Sequence, residues 1–185
     1  MAQEFRFTLT DEEKAFLKDL VRRAIVSRLA PGTVDLPAKP PTQRLTEHLG
    51  AFVTLKVRGR LRGCIGFIHG GRPVWRTIQE MAQAAAFEDP RFPPLTQAEF
   101  DQAEIEISIL SPVTACPDPE LVEVGRHGLI MRQHGRSGLL LPQVPIEWNW
   151  DRQAFLEHTC RKAGLGPHCW KEPDTEILWF EAEVF

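Results

Sequence analysis

The chain has 185 residues, 43% of them hydrophobic and 25% charged, which is enough apolar material to bury a core and unlike the composition of a disordered segment. Lys and Arg number 22 against 25 Asp and Glu, a formal charge of -3, so general electrostatic attraction to nucleic acid or an acidic membrane is not the leading idea. At roughly 150 residues per domain the length fits about one domain, read here as residues 1–185 built in two sub-lobes.

Met1-Ala2-Gln3-Glu4-Phe5-Arg6 lacks the basic start and apolar run of a secretory leader, and no stretch approaches the ~18 apolar residues of a membrane span. The expectation is a cytoplasmic protein without membrane association. Cys64, Cys116, Cys160 and Cys169 fall at irregular intervals, which favours reduced thiols over a disulfide framework.

Thr10-Asp11-Glu12-Glu13 fits a capping box, and Phe16, Leu17, Leu20, Val21, Ala24, Ile25 and Leu29 follow at helical spacing until Pro31-Gly32, predicting a helix over about 11–30. The proline-rich residues 31–43 read as an extended connection. Phe52 to Val57 alternates like a strand, and Arg58-Gly59 turns it into a second strand from Arg60 to Phe67. Pro73 suits a first helical turn, with Val74, Trp75, Ile78, Met81, Ala82 and Ala85 along a buried face. Phe87 to Pro94 is a proline-stiffened loop, and Thr96 to Glu99 repeats the capping-box spacing. Ile105, Ile107 and Ile109 then alternate with Glu104, Glu106 and Ser108 as in a half-exposed strand. Leu129-Ile130-Met131 and Leu139-Leu140-Leu141 flank His134-Gly135-Arg136, a second hairpin whose continuous apolar runs point to burial on both faces. Asp151 caps a helix running to Gly164, and Ile177 to Phe185 closes the chain as a strand. Hairpins interspersed with helices argue an α+β fold.

Leu61-Arg62-Gly63-Cys64-Ile65-Gly66 is poorly explained by strand formation alone. Glycine weakens a strand interior, so two glycines flanking a cysteine point to something approaching the backbone closely, a ligand among the possibilities. Strict alternation puts Arg62 and Cys64 on one face and Leu61 and Ile65 on the other. A guanidinium beside a thiol favours the thiolate, making Cys64 a candidate nucleophile; the bland alternative is a small, inert, buried residue. The hairpin register stays open: a two-residue turn sets Cys64 opposite Val53, a three-residue turn opposite Thr54.

Other candidates are weaker. His127 could orient or deprotonate Cys64, His134 reads as a solvent-facing turn residue, and Glu106 is an acid-base candidate. Glu88, Asp89 and Arg91 could supply carboxylates or an anion clamp, or simply rigidify their loop as ion pairs. His158, Cys160, His168 and Cys169 do not have a structural-zinc spacing, so no metal site is expected. Lys56, Arg58, Arg60 and Arg62 form a basic patch without interleaved stacking aromatics, which makes nucleic-acid binding a poor reading.

The Cys64 motif, Ala86-Phe87-Glu88-Asp89-Pro90-Arg91-Phe92-Pro93-Pro94, Glu104-Ile105-Glu106-Ile107-Ser108, His127-Gly128-Leu129-Ile130 and Gly135-Arg136-Ser137-Gly138-Leu139-Leu140-Leu141-Pro142-Gln143 resemble, in order, the AMMECR domain family, with Cys160 to Leu165 and the Glu183-Val184-Phe185 ending extending the match. The resemblance implies two unequal α+β lobes, a mixed or antiparallel sheet with flanking helices, and the Cys64 motif near a cleft between the lobes. Prokaryotic members are called protein A of the AmmeMemoRadiSam system, which implies a shared pathway with a Memo-type protein and a radical S-adenosylmethionine protein, but no established reaction and no known cofactor. Two readings follow. In one, a cleft-based enzyme uses the Cys64 thiolate, with His127 or Glu106 handling protons and Arg62, Gly63, Gly66, Glu88, Arg91 and Gln143 binding substrate. In the other, a binding or adaptor module uses the same motif to recognise a small molecule or peptide. A third reading makes the motif a packing device.

Overall fold

Thr10 opens the first helix as expected: its hydroxyl accepts from the Glu13 amide and the Glu13 carboxylate reaches back to the Thr10 amide, closing a capping box at α1, Asp11–Leu29. The computed structural model describes residues 8–185, so the reading of Met1 to Arg6 falls outside the described residues. The chain divides into two compact units, one of the described residues up to Leu110 with Glu183–Phe185, the other of Ser111–Ala182, each mixing helices with antiparallel strands. This is the α+β class expected.

In the first unit, β1 (Gly50–Val57) lies between β2 (Arg60–Phe67) and β3 (Ala103–Leu110), antiparallel to both. Ala51, Val53 and Leu55 of β1 and Ile107 and Ile109 of β3 point to one face, where α1 and α2 (Val74–Phe87) cover them and exclude water almost completely. Pro73 sits just ahead of α2 as its cap residue rather than inside its first turn. The short α3, Gln97–Phe100, carries the second capping box between Thr96 and Glu99. The last residue returns to β3, where Phe185 and Ile107 exchange both backbone hydrogen bonds at 2.9 and 3.1 Å.

Arg58 and Gly59 both have positive φ, 52° and 71°, as a tight two-residue hairpin turn demands. The register is not the one such a turn sets by itself. Leu61 faces Lys56, the ladder then shifts, and Gly63 faces Leu55, so that Cys64 stands opposite Thr54. One extra residue, Arg62, is taken up as a bulge. The bulge corrects the strict alternation: Leu61 and Cys64 share the face of Lys56 and Thr54, and Arg62 leaves Cys64's side.

The second unit pairs β5 (His127–Gln133) with β6 (Arg136–Leu140) on one side and with β7 (Glu176–Val184) on the other, and β4 (Thr114–Ala115) joins β7. β5 is buried almost throughout, but β6 is exposed or half-buried, so its apolar run is not a strand covered on both faces. Between β6 and β7 lie α4, Gln143–Glu147, and α5, Arg152–Lys162, whose cap Asp151 accepts from the Ala154 amide at 2.8 Å. Gly164, with φ 72°, reverses the chain after α5. That reversal brings Cys169 beside Cys160, and the two form a disulfide with Cα atoms 6.0 Å apart. Four reduced thiols is thereby corrected to two, Cys64 and Cys116; linear spacing carries no sign of a chain reversal. Among the described residues, no helix is long and apolar enough to cross a membrane.

Two outcomes are expected. Under denaturing, non-reducing conditions a thiol reagent titrates two cysteines per chain, rising to four after reduction. Gly63→Ala puts a Cβ 2.0 Å from the Ala85 carbonyl oxygen and so lowers stability in urea or thermal unfolding by about 1–3 kcal/mol or more, the range for overpacking a rigid contact.

Candidate functional site

The Cys64 motif lies on the outer strand of the first unit's sheet, and each part of Cys64 that can hydrogen-bond is engaged. Its N–H donates to Asp89 Oδ2 at 2.9 Å, its C=O accepts from Arg91 Nη2 at 3.2 Å, and the Thr54 hydroxyl lies 3.2 Å from Sγ. Asp89 and Arg91 are locked together by two side-chain bonds, Nε to Oδ1 at 2.9 Å and Nη2 to Oδ2 at 2.7 Å, and the Arg91 amide adds a third at 3.1 Å. The Asp89 side chain is 1% exposed. The Arg91 bonds, helped by the Cys64 and Arg91 amides, outweigh its burial and hold its carboxyl down at about 2.

Across the sheet, Cys64, Thr54 and Glu106 form one row on β2, β1 and β3. Glu106 is ion-paired with Lys56 at 3.2 Å on that same face. Burial is the largest influence on the Cys64 thiol and pushes it up; Thr54 and Arg91 act the other way, and the Asp89 and Glu106 charges reinforce the rise. Cys64 is therefore protonated at neutral pH, not the resting thiolate that a neighbouring Arg62 would favour.

Arg62 is occupied elsewhere. From its bulge it binds Glu99 through Nε at 2.8 Å and Nη2 at 3.1 Å, and donates again from Nη2 to the Pro93 carbonyl at 2.9 Å. Those bonds hold Glu99 at about 2. The expected neighbour of the thiol is thus a structural clamp between β2 and α3, and Arg91 is the cation that acts on Cys64. The Arg62 and Arg91 guanidinium carbons each lie 5.6 Å from the centre of the Phe92 ring.

The motif's glycines are close-approach positions. A Cβ on Gly63 would strike the Ala85 carbonyl on α2, and one on Gly66 would fall 2.3 Å from the Phe52 ring and 2.4 Å from the Ala51 carbonyl. What approaches is the chain's own backbone and side chains.

The remaining candidates separate from this cluster. Glu88 points to the surface, ion-paired with Arg28 at 2.7 Å; Asp89, one residue on, makes the contact. His127 belongs to the second unit, where its Nδ1 accepts from the Glu123 amide at 3.0 Å and its ring packs on Trp179 with centroids 4.3 Å apart. Burial, then the Arg126 charge, lower its pKa and keep it neutral. Gln143 opens α4 in the same unit. His134 is exposed at its turn, 2.9 Å from Asp174. No group of three metal-ligating side chains occurs among the described residues. Sequence reading undervalued Thr54, Lys56 and Glu99. Asp89 had a signal, an aspartate just before proline, which favours a turn in which the carboxylate binds nearby amides.

The family model for AMMECR1 matches residues 18–185. The chain belongs to the AMMECR1 family. A protein of Methanopyrus kandleri is 50% identical over 186 residues, covering 96% of this chain and 89% of that protein. One of Thermococcus gammatolerans is 43% identical over 189 residues, with 97% and 92% covered. The crystal structure of the uncharacterized protein PH0010 of Pyrococcus horikoshii superposes with a TM-score of 0.89 at 42% identity, covering 96% of this chain and 93% of that one. The Cys64 cluster therefore sits within an AMMECR1 fold that this solved structure shares.

Because the folded Asp89 pKa lies below the unfolded value, its contribution to stability is complete above about pH 4 and is lost as pH falls through about 2. Asp89→Asn in this AMMECR1 protein is expected to cost about 2 kcal/mol at neutral pH and to flatten that acid limb, read by urea unfolding at pH 7, 4 and 2.5.

Proposed function

We propose that this AMMECR1 family member is a recognition component whose binding site is the Cys64 face of the first unit, with Cys64 kept as a neutral thiol. The observation that carries this reading is the engagement of both Cys64 backbone groups by the Asp89–Arg91 pair. Such bonding fixes the position of a strand, whereas an activated thiolate needs an electropositive setting. Three of the cations around the motif, Arg62, Arg91 and Lys56, each hold a carboxylate, which supports a ligand without strong charge. The resemblance to protein A of the AmmeMemoRadiSam system supports a cytoplasmic setting beside Memo-type and radical S-adenosylmethionine proteins as partners.

One geometric feature favours the enzyme reading as the alternative. The Thr54 hydroxyl on Sγ, with Glu106 in the same row, is a set of groups that could stabilise a Cys64 thiolate and accept its proton once a ligand has entered.

Alkylation separates the two. With iodoacetamide on the native chain from pH 6 to 10, peptide mapping should show Cys64 reacting more slowly than a free cysteine peptide, with an apparent pKa above the ~8.5 of an ordinary thiol. Rapid modification at pH 7 with an apparent pKa below that value overturns the recognition reading in favour of the enzyme.

A further inference from the structure

We propose that the β2 edge next to Cys64 takes an extended, uncharged peptide segment that pairs with the backbone of Gly66, an inference that rests on the recognition reading of the Cys64 face. In an antiparallel pair, successive residues alternately turn their N–H and C=O toward the partner strand and away from it. Cys64 turns both away from β1, since they reach Asp89 and Arg91. The register runs unbroken from Cys64 opposite Thr54 to Gly66 opposite Phe52, so Gly66 turns its N–H and C=O to that same outer side. Among the described residues neither group has a hydrogen-bond partner.

A backbone donor and acceptor presented together by one edge residue match another extended backbone. The Asp89–Arg91 pair already fills the equivalent position at Cys64 with side chains, accepting from the N–H and donating to the C=O as a neighbouring strand does. An incoming segment would continue that ladder by one step. Phe67, 47% exposed at the end of β2, offers apolar surface beside it. The charges next to the Cys64 cluster favour an uncharged segment: Arg62, Arg91 and Lys56 are paired with Glu99, Asp89 and Glu106 respectively, so these three offer a charged peptide no free counter-ion.

The test has two readouts on the full chain. Amide exchange by NMR should show the Gly66 N–H exchanging near the free-peptide rate in the protein alone, with the Cys64 and Ile65 amides strongly protected. A random twelve-residue peptide library displayed on phage is then panned against the chain. A selected peptide should slow Gly66 exchange at least tenfold, and methylating its backbone nitrogens one at a time should weaken binding tenfold or more at a single position, the N–H that reaches the Gly66 carbonyl. Gly66 as protected as Ile65 in the protein alone, no selectable peptide, or a methylation series with no sensitive position would overturn the proposal. Any of these alongside slow Cys64 alkylation removes the peptide partner alone, whereas fast alkylation at neutral pH removes the recognition reading beneath it.

Discussion

The ion pair between Asp89 and Arg91 fixes the arrangement around Cys64. A carboxylate as buried as that of Asp89 is tolerable only when its oxygens are filled by donors, and here the guanidinium and two backbone amides fill them. The same pair satisfies the N–H and C=O of an edge-strand residue that would otherwise be left without partners. Each side of the contact removes the other's cost. The loop holding the pair is closed at its ends by the Leu95 amide on the Ala86 carbonyl and turned within by the Phe92 amide on the Asp89 carbonyl, and Pro90, Pro93 and Pro94 restrict its backbone.

The loop reaches Cys64 because α2 is already in place one residue earlier on β2. Gly63 lets the Ala85 carbonyl come closer than any side chain would allow, and α2 ends at Phe87, two residues before Asp89. Residue 85 therefore touches position 63 and residue 89 touches position 64, each contact setting the reach of the other. The bulge at Arg62 completes the arrangement by moving that guanidinium off Cys64's face and onto Glu99, where it ties α3 and the Pro93 carbonyl to β2.

Most of the framework was legible because it follows local rules. The caps at Thr10, Thr96 and Asp151, the positive-φ turn at Arg58-Gly59 and the alternation of Ile105, Ile107 and Ile109 each depend on residues within a few positions of one another. The site was legible only in part. The choice of glycine at 63 and 66 announced close approach, yet nothing local identified Ala85 and Phe52 as the approaching groups. The bulge was invisible because its cause is tertiary: Arg62 finds Glu99 37 positions away, and that slip of one residue reassigned every side chain before it to the other face. The Cys160–Cys169 pairing and the packing of His127 against Trp179 were hidden for the same reason, since each depends on where the chain returns.

The charge balance around the motif has a consequence for the thiol itself. Each cation near Cys64 arrives with a carboxylate, so the local field is that of paired dipoles, which falls off faster with distance than that of free charges and cannot offset the burial of a sulfur. Arg91 illustrates the limit: it is the cation that favours the Cys64 thiolate, but the Asp89 it holds opposes it. A free arginine in that loop would favour the thiolate more than a paired one does, and the paired one holds the strand in position. The chemistry of Cys64 in the resting protein is thus set first by burial, with Asp89, one loop away, opposing the cation that works against it.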